Sequence, residues 1–487
     1  MIAWRVALRP RGQLREGLAA KNANGSPLMH HGGTTDRPPI WSFGLSLRKA
    51  ISPCCLPDVK MVSMARQWIW GGFLGLALVA SGCTSRWHPP ENLNLLLSAG
   101  LGEDKIARAN LERLAQELAN EFMRVNPQVS VHLRVTSENE VLPLMRSRSG
   151  LGAAPDLLIT RVPAAYALAQ DRLTTSSSLE PAELDPLRVK FLGRFRQGNR
   201  FRAIPLLVQP TVACFNRKRV PTPPRTLDQL VIQANGGQKM GLPLEMRELL
   251  WTATGFKAQQ PLFQLLEVKS RIHSQQPLQG TARESVLAWL EWLYRANVEP
   301  NVIFVDTADD LVSRLEKGQL DWISCNATAI SRLKRSFGSN LAVADLPRGP
   351  DGEPSRPMAR MLVMSFGRDS TPGQRDAAEK FALFVLNDYT QSNMVSKALG
   401  NMPVNQNVVL PVKDSAYLPV MERSLDHSII PSFYEGMRIT TLANSLRPIL
   451  KQNIYGEQKP EQALKAMEAL TNGLNADVVS VSGGPNQ

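Results

Sequence analysis

The chain has 487 residues, 43% of them hydrophobic and 20% charged, which suits two or three folded domains and excludes a largely disordered chain. Its formal net charge is +13, but residues 1–82 hold ten Lys/Arg against three Asp/Glu, and the rest hold 46 against 40. Residues 83–487 carry no basic block, so no nucleic-acid partner is expected.

The first apolar block is Trp68–Ala80, preceded by Arg66. It is too short for a permanent membrane helix and suits the core of a secretory signal peptide. Ser81-Gly82-Cys83 follows. Small residues running into a Cys resemble the lipobox of bacterial lipoproteins, although Ala80 stands where that motif prefers Leu. The resemblance implies cleavage before Cys83, a lipid on its thiol as a membrane anchor, and a periplasmic location. Residues 1–60 read as an extension ahead of a true start at Met61 or Met64; a cytoplasmic extension before a signal anchor is the alternative. Of the five Cys, Cys214 and Cys325 lie within the exported part; free buried thiols are expected, with pairing left open.

Asn92–Leu97 reads as a buried strand, and residues 103–125 as a core-facing helix with Ile106, Leu111, Leu114, Leu118 and Phe122 mostly three or four apart. Asn126-Pro127 stops that helix, and 129–135 alternates as a second strand. A short helix over 142–149 and a strand over 157–160 follow, the latter introduced by Asp156, which suits a turn-fixing role. This rhythm predicts parallel strands flanked by helices. Val208–Asn216 reads as one strand, then a helix capped by Thr226. Helices are expected over 285–295, 306–317 and 374–387, strands over 320–325 and 361–366, and a mostly helical carboxy end over 437–474, around Gly456.

Five segments in this order resemble the extracellular solute-binding proteins of bacterial ABC importers, in the maltose-binding-like group. They are the strand ending in Ser98-Ala99-Gly100, Ala154–Leu158, Pro205–Lys218 with Pro224–Leu230, Lys317–Trp322, and Gly400–Val404. The similarity runs over residues 92–477, with Phe215 and Cys325-Asn326 as departures. It implies an α/β, two-lobe periplasmic-binding-protein fold of type II, each lobe a mostly parallel sheet flanked by helices, with the ligand cleft between lobes. The boundaries expected are 1–60 extension, 61–82 signal peptide, 83–91 tether, 92–207 and 361–404 for the first lobe, 208–360 and 405–477 for the second, and 478–487 as a tail.

No nucleophile elbow or phosphate loop is present, and none of the six His has zinc-site spacing, so no enzyme, metal or cofactor is expected. Candidate ligand residues are Ser98, Thr160, Arg161, Gln209, Trp251, Asn326, Thr328 and Arg360. Trp251 is the candidate sugar platform, evenly weighed against a core role; Trp289, Trp292 and Trp322 read as core. Arg161 and Arg360 suit a hydroxyl, a carboxylate or a phosphate, unless they pair with acids. The function implied is a monomeric receptor that captures a sugar or polyol and delivers it to membrane permease subunits. The alternatives are the same fold binding an anionic solute, and a scaffold lipoprotein without ligand.

Overall fold

The computed structural model describes residues 90–99, 105–265, 278–433 and 435–481. Cys83, the signal-peptide segment, the extension before it and Gly100 lie outside these residues. Everything described belongs to one compact unit, Ser85–Gln487.

The first sheet begins with β1 (Glu91–Ala99), β2 (Val129–Ser137) and β3 (Leu157–Arg161). β1 pairs in parallel with both others, Leu95 lying opposite Leu133 and Leu157. Leu93, Leu95, Leu96 and Leu97 are all buried, so both faces of β1 are covered, as a parallel strand between helix layers requires. Helix α1 (Lys105–Val125) brings Leu114, Leu118 and Phe122 into that core. Helix α2 (Glu138–Arg148) starts earlier than its periodicity suggests. Glu140 explains this: its carboxylate accepts from the backbone N–H of Ser137 and the hydroxyl of Thr136, satisfying the helix start. Helix α3 (Val162–Gln170) follows β3 directly. Asp156 ties the sheet together, accepting from Asn94 and from the Ser370 hydroxyl.

The stretch read as one strand over 208–216 is two. β4 (Ile204–Gln209) belongs to the first sheet and β5 (Thr211–Asn216) to the second. Pro210 separates them; it has no N–H to donate to a ladder and restrains the residue before it. After β5 come α4 (Leu227–Asn235), β6 (Met240–Pro243), α5 (Met246–Gly255), α6 (Gln259–Gln264), α7 (Gly280–Val298) and β7 (Val302–Val305). Then follow α8 (Ala308–Glu316), β8 (Trp322–Asn326), α9 (Ala329–Phe337) and β9 (Leu341–Ala344). Thr226 caps α4 as expected, its hydroxyl accepting from the Gln229 N–H. The second sheet runs β7-β6-β8-β5-β9, parallel across its first two pairings and antiparallel across the others.

The chain returns to the first sheet as β10 (Arg360–Gly367), antiparallel between β3 and β4. Helices α10 (Pro372–Leu386) and α11 (Asp388–Lys397) lead to the short edge strand β11 (Met402–Pro403). Both sheets are thus mixed, the antiparallel strands being those next to the crossovers. Helix α12 (Leu418–His427) lies on β5, with the Ser424 hydroxyl donating to the Thr211 carbonyl. Helices α13 (Glu435–Ile454) and α14 (Pro460–Val481) pack with α7; Gly456, at φ 79°, lies in the break between them. The last helix runs to Val481, into the segment read as a tail.

Cys214 and Cys325 are joined as a disulfide, which corrects the expectation of free thiols. The antiparallel register sets Cys214 opposite Ile323 and Cys325 opposite Val212, making the two Cys diagonal neighbours on one face. Their Cα atoms are 5.9 Å apart, within the span a disulfide bridges.

Candidate functional site

Open α/β sheets place ligands beyond the carboxyl ends of their parallel strands. Here those ends are Ala99, Ser137 and Arg161 in the first sheet and Pro243, Val305 and Asn326 in the second. Four of the candidate residues meet beside the crossover between sheets. Arg360 lies opposite Gln209 in the β10–β4 pairing. The Gln209 amide donates to Asn401 Oδ1 at 2.9 Å, and the Asn326 amide donates to the Gln209 carbonyl at 3.4 Å. Asn326 Oδ1 accepts from both the N–H and the hydroxyl of Thr328, at 3.1 and 2.6 Å. The Ala327 N–H closes on the Pro210 carbonyl at 2.9 Å. Gly400 packs closely against the same segment: its φ is +102°, and an added Cβ would lie 2.3 Å from the Ala327 carbonyl oxygen.

Both candidate arginines are paired with carboxylates. Arg360 donates from Nε and NH2 to Glu248 Oε1, at 2.9 and 2.6 Å. The Glu248 side chain is 8% exposed and that of Arg360 27%. The Glu248 charge pushes the guanidinium pKa up against the opposing effect of burial, with help from Glu245 and Asp309. Arg161 Nε lies 2.8 Å from Glu138 Oε2, on the first turn of α2. Asp309, on the first turn of α8, has its carboxyl pKa raised by partial withdrawal from water; Arg360, Arg332 and Arg161 pull the other way. Asp309 at the start of α8 is thus within electrostatic reach of Arg161 at the end of β3 and Arg360 at the start of β10.

Ser98 and Thr160 do not join this cluster through their side chains. They share the sheet face of Leu96 and Leu158, which packs with Val141, Met145 and Leu168 of α2 and α3. Both are buried, and neither hydroxyl has a hydrogen-bond partner among the described residues. Trp251 offers no platform either, which corrects its reading as a stacking surface. It is 0% exposed and meets Trp322 edge-on, ring centroids 6.4 Å apart. The reason is its helix: almost every residue of α5 is buried, so a face that periodicity leaves open is covered by neighbouring elements. Trp289 and Trp292 are core, with Trp289 Nε1 donating to the Thr252 hydroxyl at 2.9 Å.

Glu138, Glu248, Asp309 and Asn401 are the members of this candidate site that sequence reasoning missed. Asn401 alone had a signal, as the neighbour of Gly400 in a segment already singled out. Among the described residues no group of three or more His, Cys, Asp or Glu is placed to hold a metal ion, and no helix is long and apolar enough to cross a membrane.

No protein-family model matches the chain, and no curated protein matches it. Solved structures do. The GacH receptor of Streptomyces glaucescens, determined unliganded and with acarbose, is 16% identical with a TM-score of 0.62, covering 80% of this chain and 100% of its own. A cyclo/maltodextrin-binding protein complexed with maltotetraose is 15% identical at 0.63, covering 79% and 97%. An ABC transporter solute-binding protein from Thermotoga lettingae, bound with alpha-D-tagatose, is 14% identical at 0.57, covering 79% and 100%. These neighbours are binding proteins rather than enzymes. The fold of this chain is that of the two-lobe, type II solute-binding proteins of the maltose-binding kind.

Proposed function

We propose that the protein is a receptor that captures a neutral, hydroxyl-rich solute, a sugar or polyol, between its two sheets. In this reading it passes the solute to permease subunits of an ABC importer. The observation that carries the solute class is the pairing of charges. Arg161 and Arg360, which alone would suit an anion, each already face a carboxylate. What they leave for a ligand is a set of fixed donors and acceptors: amides at Gln209, Asn326 and Asn401, a hydroxyl at Thr328, and the edges of two ion pairs. Such groups match hydroxyls, which both donate and accept. The buried Cys214–Cys325 disulfide supports export to an oxidising compartment. A monomer tethered through a lipid on Cys83 completes the reading.

A thermal-shift screen of purified residues 84–487 tests it. A ligand at a hundredfold excess over Kd adds about 2.7 kcal/mol of stability. A shift with a disaccharide or sugar alcohol that Gln209→Ala and Asn326→Ala abolish is expected. Shifts with organic anions alone would replace the solute class, and no shift with any solute would leave a scaffold lipoprotein. Cys83→Ala should release the protein from membranes; unchanged membrane association removes the anchor from the proposal.

A further inference from the structure

A cavity of about 570 Å³ is lined by none of the residues of the cluster just described. That volume is in the range of small-molecule sites. Its lining draws on the segment before β4, on α6, on the approach to β10, and on the turn between α12 and α13.

Its charges do not all remain available. The Lys190 ammonium donates to the carbonyls of Leu425 and Asp426 at 2.7 and 3.1 Å, closing the end of α12. Burial pushes its pKa down, and the negative charge of Asp426 opposes that shift. Glu435 is engaged too, its carboxylate accepting from the Ser432 N–H at 2.8 Å. The guanidiniums of Arg194 and Arg356 are different. Arg356 uses only Nε, on the His427 carbonyl at 3.3 Å, and the Arg194 guanidinium has no hydrogen bond to the described residues. The Arg194 guanidinium and the two terminal amino groups of Arg356 therefore line the cavity without a hydrogen bond to the described residues. Beside them stands an apolar wall that includes Phe263, Ile429 and Ile439.

We infer that this cavity is a second binding site, for an organic anion with an apolar or aromatic body. A carboxylate or sulfonate head accepts from Arg194 and Arg356, which guanidinium geometry favours. The body lies against Phe263 and the isoleucines, where its removal from water supplies the remaining affinity. The site does not depend on what the main cleft binds.

Two fluorescent probes of similar shape test this on purified residues 84–487. Anilinonaphthalene sulfonate carries an acidic head on an aromatic body; phenylnaphthylamine has the body without the charge. The native protein should bind the sulfonate at one principal site. The Arg194→Gln/Arg356→Gln double variant should weaken it at least tenfold, which is about 1.4 kcal/mol. Its affinity for the neutral probe should not change. Phe263→Ala should weaken both probes, and Arg314→Gln, on α8 and outside the cavity lining, should weaken neither. Thermal midpoints verify that each variant is folded. No sulfonate binding by the native protein, unchanged binding in the double variant, or equal weakening of both probes in that variant overturns the site.

Discussion

Breaking the bridge between β5 and β8 should unfold the second sheet selectively. The perturbation is Cys214→Ala/Cys325→Ala, which removes the disulfide without adding a buried hydroxyl. The two Cys are 111 residues apart in sequence, and closing a loop near that length restricts the unfolded chain by about 4–5 kcal/mol. Both residues are essentially fully buried, so lost packing adds to that figure. The four Trp of the described region, Trp251, Trp289, Trp292 and Trp322, all belong to the core around α5, α7 and the second sheet. Tryptophan fluorescence during denaturant unfolding therefore reports mainly that half of the molecule. The fluorescence transition of the double variant should move to markedly lower denaturant. Amide exchange in β1, β2 and β3, which belong to the other sheet, should change little at low denaturant. A fluorescence midpoint equal to that of the native protein under oxidising conditions would refute the argument.

Other perturbations separate core from site. Trp251→Ala should cost about 3–5 kcal/mol in thermal or denaturant unfolding, because a fully buried indole leaves a cavity; a folded protein of native stability that has lost only ligand would restore the platform. Glu248→Gln should cost about 2–4 kcal/mol, toward the lower end because Arg360 keeps contact with solvent. Arg360→Met with Glu248→Leu should cost less than the two single changes summed, measured as a double-mutant cycle. Gly400→Ala should cost about 1–3 kcal/mol and disturb the Gln209–Asn326 contacts, since the new methyl meets backbone at a positive φ; unchanged stability and solute affinity would contradict the close approach. Asp309 has a raised carboxyl pKa, so the native state favours its protonated form and ionisation above the carboxylate range opposes folding. Asp309→Asn should therefore stabilise the protein only slightly at neutral pH, because the exposed side chain is screened by solvent, with the gain shrinking as pH falls through and below that range; a gain that is the same at every pH would assign the effect to something other than ionisation.

Local periodicity and turn chemistry account for most of what the sequence reveals about the fold. The leucines of β1, the spacing along α1 and the Thr226 cap depend on residues a few positions apart, and they appear as expected except at Ile106, whose spacing points to the core but which is exposed near the start of α1. The break at Pro210 shows where such reasoning weakens. Its neighbours alternate like one strand, and only the assignment of Gln209 and Thr211 to different sheets makes the proline a crossover. The same limit governs the site. Arg360 and Glu248 are 112 residues apart, and Cys214 and Cys325 are 111 apart; no window of sequence contains either pair. An arginine's residue type gives its charge, but its partner decides whether that charge remains available to a solute. Arg161 and Arg360 suggest an anion while their carboxylates are unknown, and the proposal of a neutral solute rests on Glu138 and Glu248 being in place. Arg194 and Arg356 attract no notice in the sequence, yet they keep unengaged donors beside an apolar wall. Which cations the fold pairs with carboxylates depends on long-range contacts rather than on local pattern, and both proposals above rest on that difference.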